Sequence, residues 1–355
     1  MNQLNAIKLI TQHLMLGDID SVKRCCQQDK IPQTIAAWGL ATINQPLNAE
    51  QTQLLSADSL NLYQGWKHYY NGEYQQSQEA FLRCLDSNTA DGIGLGIAKN
   101  YTRLGQWQSA KSWLLHELTI SRQRNDLYSQ AQCYGALGEI FLRSNHPKIA
   151  YECFGNAFQI LPKGSSQREK QYNFQASALI RIGNEQHAEQ YLMSAFYLAQ
   201  NQQIDSAWHS LARLQFLWTQ QKKSHTVLDY YADDLQHKPA QINAEGFLNM
   251  GLAFAAAYQQ NNEKAIEYSQ KASFCFQNRF PLEHIWAQKL LNSLQNQTDA
   301  LELPEILPIV IPPNSRNSII EANWQQLTLT NHGFATLAVA KNLDSLWQAR
   351  HLFFI

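Results

Sequence analysis

A small residue returns along this chain at positions 65, 98, 138, 176, 212 and 251, each time inside an apolar stripe of helical period. Gly65, Ala98, Gly138, Ala176, Ala212 and Gly251 are separated by 33, 40, 38, 36 and 39 residues. A period of that size holds one supersecondary unit, and such a unit cannot bury its apolar face alone. Stacked neighbours can. The spacing therefore points to an array in which each unit packs on the next, not to one globular core.

The unit is clearest in "CYGALGEIFLRSNHPKIAYECFGNAFQILP", residues 133 to 162. Tyr134, Leu137, Gly138 and Phe141 fall at i, i+3, i+4 and i+7, one face of a helix. A break follows at Asn145-His146-Pro147. Pro147 suits the first turn of a second helix, where its missing N–H is harmless. Ala150, Phe154 and Ala157 share a face of that helix, and Pro162 ends it. The two apolar faces predict an antiparallel helical hairpin.

This segment resembles a tetratricopeptide repeat. The family pattern runs aromatic, Leu-Gly, aromatic, small, aromatic, small, proline. Tyr134, Leu137-Gly138, Phe141, Ala150, Phe154, Ala157 and Pro162 stand at those places. The resemblance covers residues 58 to 200 well, and 1 to 57 and 201 to 297 less well. It implies an all-α, right-handed superhelical solenoid of antiparallel helix pairs whose first helices line a concave groove. It also implies a protein or peptide partner in that groove and no catalysis. Long repeats of this kind occur in bacterial regulatory members of the family. They give the alternative expectation of a ligand- or peptide-sensing regulator whose solenoid changes shape on binding.

Four segments follow from the pattern. Residues 1–57 read as degenerate helical hairpins that cap the array, with Gly17 at a turn and Asp18 as an N-cap candidate. Residues 58–297 are the repeat region. Residues 298–314 contain Pro304, Pro308, Pro312 and Pro313; no helix survives that density, so a stiff extended linker is expected. Residues 315–355 fall outside the repeat. Leu327 and Leu329 alternate with threonines before Asn331-His332-Gly333, which fits a β-hairpin. A pair of short helices fits the apolar run equally.

The stretch "ADGIGLGIAKNYTRLGQW" places Gly92, Gly94 and Gly96 before Lys99. A dinucleotide fingerprint needs a strand before its glycines, and a P-loop needs Gly-Lys-Ser/Thr. The preceding "LDSNTADG" is polar, and no such tripeptide occurs. On the repeat register the glycines sit in the first turns of a helix, with Asp91 as a candidate N-cap. Each costs up to about 1 kcal/mol against alanine. Close helix–helix approach is the expected compensation; backbone exposed to a ligand is the alternative.

Other chemistry is sparse. Eleven histidines are present, with no His-Glu-x-x-His and no i, i+4 pair, so no metal site is expected. Asp233-Asp234 reads as a solvated face. The six cysteines form no Cys-x-x-Cys and read as small buried residues of a reducing compartment. No apolar run approaches the roughly 20 residues that span a bilayer, and no signal peptide is read at the start. A cytoplasmic protein without cofactor is expected. The net charge of -1 argues against a nucleic-acid surface.

On the implied groove, the positions one and five after the small residue carry the partner contacts. They are Trp66 and Tyr70, Lys99 and Arg103, Glu139 and Arg143, Ser177 and Arg181, then Arg213. Lys170 and Asn173 lie on the same stripe. Together they would form a basic ladder suited to an acidic or C-terminal peptide, because guanidinium groups grip carboxylates bidentately. The competing explanation is that these arginines end helices and favour the negative end of the dipole. Chaperone-binding members of the family carry Asn after the small residue. Trp66 and Lys99 stand there instead, so a carboxylate clamp of that type is not expected. The oligomeric state is left open.

Overall fold

A computed structural model describes residues 1–85, 92–200, 206–233, 242–296, 307–312, 327–329 and 333–353. Every regular element among them is helical. Four short helices open the chain: α1 (Gln3–Leu16), α2 (Ile19–Cys26), α3 (Gln33–Thr42) and α4 (Ala49–Gln53). Paired helices follow: α5 (Ala57–Asn71) with α6 (Tyr74–Arg83), α7 (Ile93–Arg103) with α8 (Trp107–Gln123), and α9 (Leu127–Arg143) with α10 (Pro147–Ile160). Next come α11 (Ser166–Ile182) with α12 (Glu185–Gln200), then α13 (Ser206–Gln220) with the single turn α14 (Leu228–Tyr231), and α15 (Ile242–Tyr258) with α16 (Asn262–Phe276). The helix α17 (Pro281–Leu294) closes the series. Two short helices, α18 (Gly333–Val339) and α19 (Leu343–Gln348), precede a 3-10 segment at Ala349–Phe353.

Each paired helix packs chiefly on its chain neighbours, and α5, α7, α9, α11, α13 and α15 also touch one another in sequence. Side-chain hydrogen bonds mark the repeat. Arg103 reaches Tyr69, Gln132 reaches Gln167, Arg181 reaches Asn145, Arg213 reaches Ser177, and Lys223 reaches Glu189. Each of these bonds joins residues between 34 and 36 positions apart.

Local chemistry explains the hairpins. The turn within α9–α10 is made by Asn145 at φ 66°, and Pro147 opens α10. Gly72, Gly105 and Gly183 hold the same left-handed conformation at the α5–α6, α7–α8 and α11–α12 turns. That conformation lets the last carbonyls of the first helix be capped by backbone N–H groups; Gly72 N and Glu73 N donate to Tyr69 O and His68 O.

The small residue admits a ring from the partner helix. A Cβ on Gly138 would come within 2.4 Å of Phe154, and one on Gly65 within 2.6 Å of Phe81. The last pair differs. Gly246 takes the Phe276 ring, while Gly251 lies against Gln215 and Phe216 of α13. The register expected at 251 is therefore shifted within α15.

The N-terminal helices form a small core of Ile10, Leu14 and Val22 against Trp38 and Tyr128. Asp18 caps α2 as expected, accepting from Ser21 N at 2.9 Å. The unit docks side-on at the starts of α9 and α11. Ser165 Oγ donates to Met15 O at 2.8 Å, and Gln167 Nε2 to Leu14 O at 2.8 Å.

The C-terminal residues return to the array. Residues 307–312 form no regular element, and the rest of the expected linker, 298–306 and 313–314, lies outside the described residues. Gln106 holds Leu307 with both ends of its amide, and Tyr101 OH donates to Pro308 O at 2.7 Å. Of the two expectations for 315–355, short helices are found at 333–353. Gly333 begins α18, and Leu329 N donates to Gln108 Oε1 instead of to a partner strand. Trp347 is the anchor. Its ring stacks on Phe216 at 5.7 Å and meets Phe254 at 5.1 Å.

Candidate functional site

Helix ends and inner faces bring five cations to one recess. Lys99 and Arg103 come from α7, Arg143 from α9, Lys170 from α11 and Arg213 from α13. Glu139 lies within electrostatic reach of all five. Across the recess runs the start of α17, where Glu283 is 1% exposed. Tyr74 OH donates to Arg279 O, so the first pair meets the α16–α17 corner.

The expected ladder divides here into two kinds of residue. Arg143 is 1% exposed and wholly engaged. Its Nε donates to Glu139 Oε1 at 3.1 Å, NH2 to Glu283 Oε1 at 3.1 Å, and NH1 to Leu352 O at 2.6 Å. Arg103 donates to Tyr69 OH at 3.0 Å, lies 3.9 Å from Glu283, and covers the Phe280 ring at 4.9 Å. Arg213 is buried and donates to Ser177 Oγ and His209 O. Asn173 is buried and accepts from Ser210 Oγ at 2.8 Å. These groups hold helices to one another. Their hydrogen bonds are made inside the protein: those of Arg143 to α17 and the C-terminal segment, that of Arg103 to Tyr69, and those of Arg213 and Asn173 at the α11–α13 contact.

Lys99 and Lys170 are different. The Lys99 ammonium rests over Trp66 at 5.4 Å, and that of Lys170 over Phe174 at 5.6 Å. Arg213 approaches the same Phe174 ring at 5.4 Å. Lys170 is exposed on the recess wall and Lys99 half-buried. Trp66 packs edge-on against Tyr69 and Phe81, and Tyr70 is exposed at the rim with Arg279 5.6 Å from its ring. Arg181 stands apart, bonded to Asn145 Oδ1 at 2.8 Å.

Like charges crowd this space. Surrounding protein pushes the Lys170 ammonium down to about 8, and the neighbouring Lys99 adds to the fall. Burial lowers Lys99 as well, opposed by Glu139. Arg213 falls to about 9 through burial. Burial favours a protonated Glu139, but Arg143, Arg103 and the two lysines overcome it and hold its carboxyl below the ordinary value. Arg103 is raised: burial opposes its charge, and Tyr69, Glu139 and Glu283 outweigh that.

Two members lay outside the expected set. His209 sits one helical turn before Arg213, and burial followed by Arg213 and Lys170 holds it well below the ordinary imidazole value. Its place on the inner stripe could have signalled it. Glu283 belongs to α17, beyond the repeat register, and no periodicity marks it.

The glycine stretch is occupied from within. Gly92 caps α7 at φ 84°, while the N-cap candidate Asp91 lies outside the described residues. Gly92 N and Gly94 N donate to the Glu117 carboxylate at 3.2 and 3.0 Å. Gly96 lies under the Phe81 ring. The chain's own carboxylate stands where a phosphate would meet this helix start; close approach explains Gly94 and Gly96, and the left-handed φ explains Gly92. Burial raises the Glu117 carboxyl, and the two amides oppose the rise.

No group of three or more metal-ligating side chains occurs among the described residues. None of their helices is long and apolar enough to cross a membrane. No protein-family model matches the chain, and no curated protein matches it.

Proposed function

We propose that this chain is a non-catalytic, tetratricopeptide-like scaffold that binds an acidic peptide segment of a partner protein in the concave groove of its inner helices. The hydrogen bonds spaced by one repeat and the rings seated at Gly65 and Gly138 support the repeat assignment. One observation carries the binding role: Lys99 and Lys170 are held on aromatic faces of the inner wall, next to three further cations and one shared carboxylate. Burying like charges together costs stability unless a partner neutralises them.

The test is a calorimetric titration of acidic and basic peptides of equal length, with wild type and a Lys99→Glu, Lys170→Glu variant. Acidic peptides should bind wild type and lose at least tenfold in the variant. Equal affinity for both proteins removes the groove from the proposal.

A second reading, a sensor whose array changes curvature when a peptide or small ligand binds, is favoured by the contact between Tyr74 and Arg279. A ligand in the recess would act on that contact, because it joins helices far apart in sequence. Identical small-angle scattering with and without bound ligand disposes of it.

A further inference from the structure

Among the described residues, the recess holds more positive charge than its carboxylates balance. Lys99, Arg103, Arg143, Lys170 and Arg213 face Glu139 and Glu283, an excess of three charges in a chain whose net charge is -1. The imbalance also has a chemical grain. The three guanidinium groups are committed: Arg143 to Glu139, Glu283 and Leu352 O, Arg103 to Tyr69, and Arg213 to Ser177 and His209 O. The planar fork, which matches carboxylate and phosphate alike, is thus spent inside the protein at Arg143. What faces the recess is a pair of ammonium groups. Each is a compact point charge with three rotatable donors, and each rests on a ring face. Point charges of that kind suit the tetrahedral oxygens of phosphate.

We infer that the Lys99–Lys170 side of the recess binds a multiply charged phosphate group, of the size and charge of a diphosphate. The inference rests on the inner face being a ligand site. It replaces clustered carboxylates with phosphate as the chemistry recognised. A diphosphate carries close to the three negative charges that the recess lacks. Trp66, with Tyr70 exposed beside it at the rim, offers a flat apolar wall for whatever bears the phosphate.

Binding and protonation are then linked. Tyr69 on α5, Lys99 and Arg103 on α7, and Glu139 on α9 surround Lys170. His209 and Arg213 on α13 face it as well, Arg213 across the shared Phe174 ring. An anion between the lysines offsets the burial, and the smaller Lys99 repulsion, that strip the Lys170 proton, so the complex takes up protons near pH 8.

The experiment is a titration of the full chain at pH 8 with pyrophosphate, with a doubly phosphorylated peptide, and with the same peptide carrying glutamates. It is repeated in two buffers of different ionisation enthalpy. Pyrophosphate or the phosphopeptide should bind, with proton uptake. Lys99→Gln and Lys170→Gln should each weaken binding at least tenfold, and the distant exposed Lys148→Gln should not. Tighter binding of pyrophosphate assigns a free small ligand, and tighter binding of the phosphopeptide a phosphorylated side chain; either supports the inference. Binding of the glutamate peptide alone overturns it and leaves the acidic-peptide reading standing. No binding of any probe overturns both. Unchanged affinity in the two lysine variants shows that phosphate binds elsewhere and also overturns it.

Discussion

Arg143 and Glu283 lie 3.1 Å apart, each 1% exposed, and tie the end of α9 to the start of α17 across 140 residues of chain. Removing Arg143 leaves the buried Glu283 only the longer contact with Arg103, at 3.9 Å. Arg143→Leu should therefore cost about 3–5 kcal/mol, read as a lower denaturation midpoint at unchanged slope. It should also loosen residues 349–353, since Leu352 O loses its donor. A variant of wild-type stability would show that water reaches Glu283 and that the pair is not structural.

The seats for aromatic rings give a test of sign. In an ordinary helix, glycine to alanine gains about 1 kcal/mol. At Gly138 the added methyl meets Phe154 at 2.4 Å, inside a core where Phe154 is fully buried. Gly138→Ala should lower stability by about 1–3 kcal/mol, measured by thermal unfolding. Gly155 is the control. It has only the Gln175 amide nearby, at 3.6 Å, and its alanine variant should be neutral or stabilised.

What the sequence discloses follows from the range of each interaction. Pro147, the caps and the αL turns act within a few residues, so the hairpins are legible from spacing alone. Phe154 on Gly138 is legible too, because the repeat places both. The inner-face position of Lys99 and Arg103 follows from the same register. The fate of Arg143 does not. It is settled by Glu283 and Leu352, which lie 140 and 209 residues downstream, Glu283 where the resemblance is weak and Leu352 beyond it. The same limit hid the Glu117 carboxylate from the glycine stretch. A helix start and its internal anion are neighbours only after α7 and α8 pair.

The tail yields a local prediction. Trp347 fills a box of Phe216, Phe254 and Tyr258, and Trp286 Nε1 donates to Leu346 O at 3.1 Å. Trp347→Ala removes most of the ring area that docks α19. Amide exchange should accelerate by more than tenfold across 333–353, while α9 and α10 keep their protection. Equal acceleration in all helices would mean that the tail is part of the same cooperative unit as the array.

Lys170 joins stability to pH. Its folded-state value is depressed to about 8 from 10.5, so between those values the unfolded chain binds more protons and stability rises with pH. Below about 8 the lysine is charged in both states and its full cost is present. Above 10.5 it is neutral in both and the cost is gone. Lys170→Gln should therefore stabilise the ligand-free protein at pH 7 by about 1 kcal/mol, once screening of a solvent-reached side chain is allowed for. The gain should fade as pH rises from about 8. The readout is the difference between wild-type and variant denaturation midpoints at each pH. Lys111, which burial also lowers to about 8, is common to both proteins and cancels. A pH-independent difference would mean that the change acts through packing on Phe174 and not through charge. A destabilised variant would mean that the ammonium is held by a favourable partner, against the crowding of like charges from which the ligand site is argued.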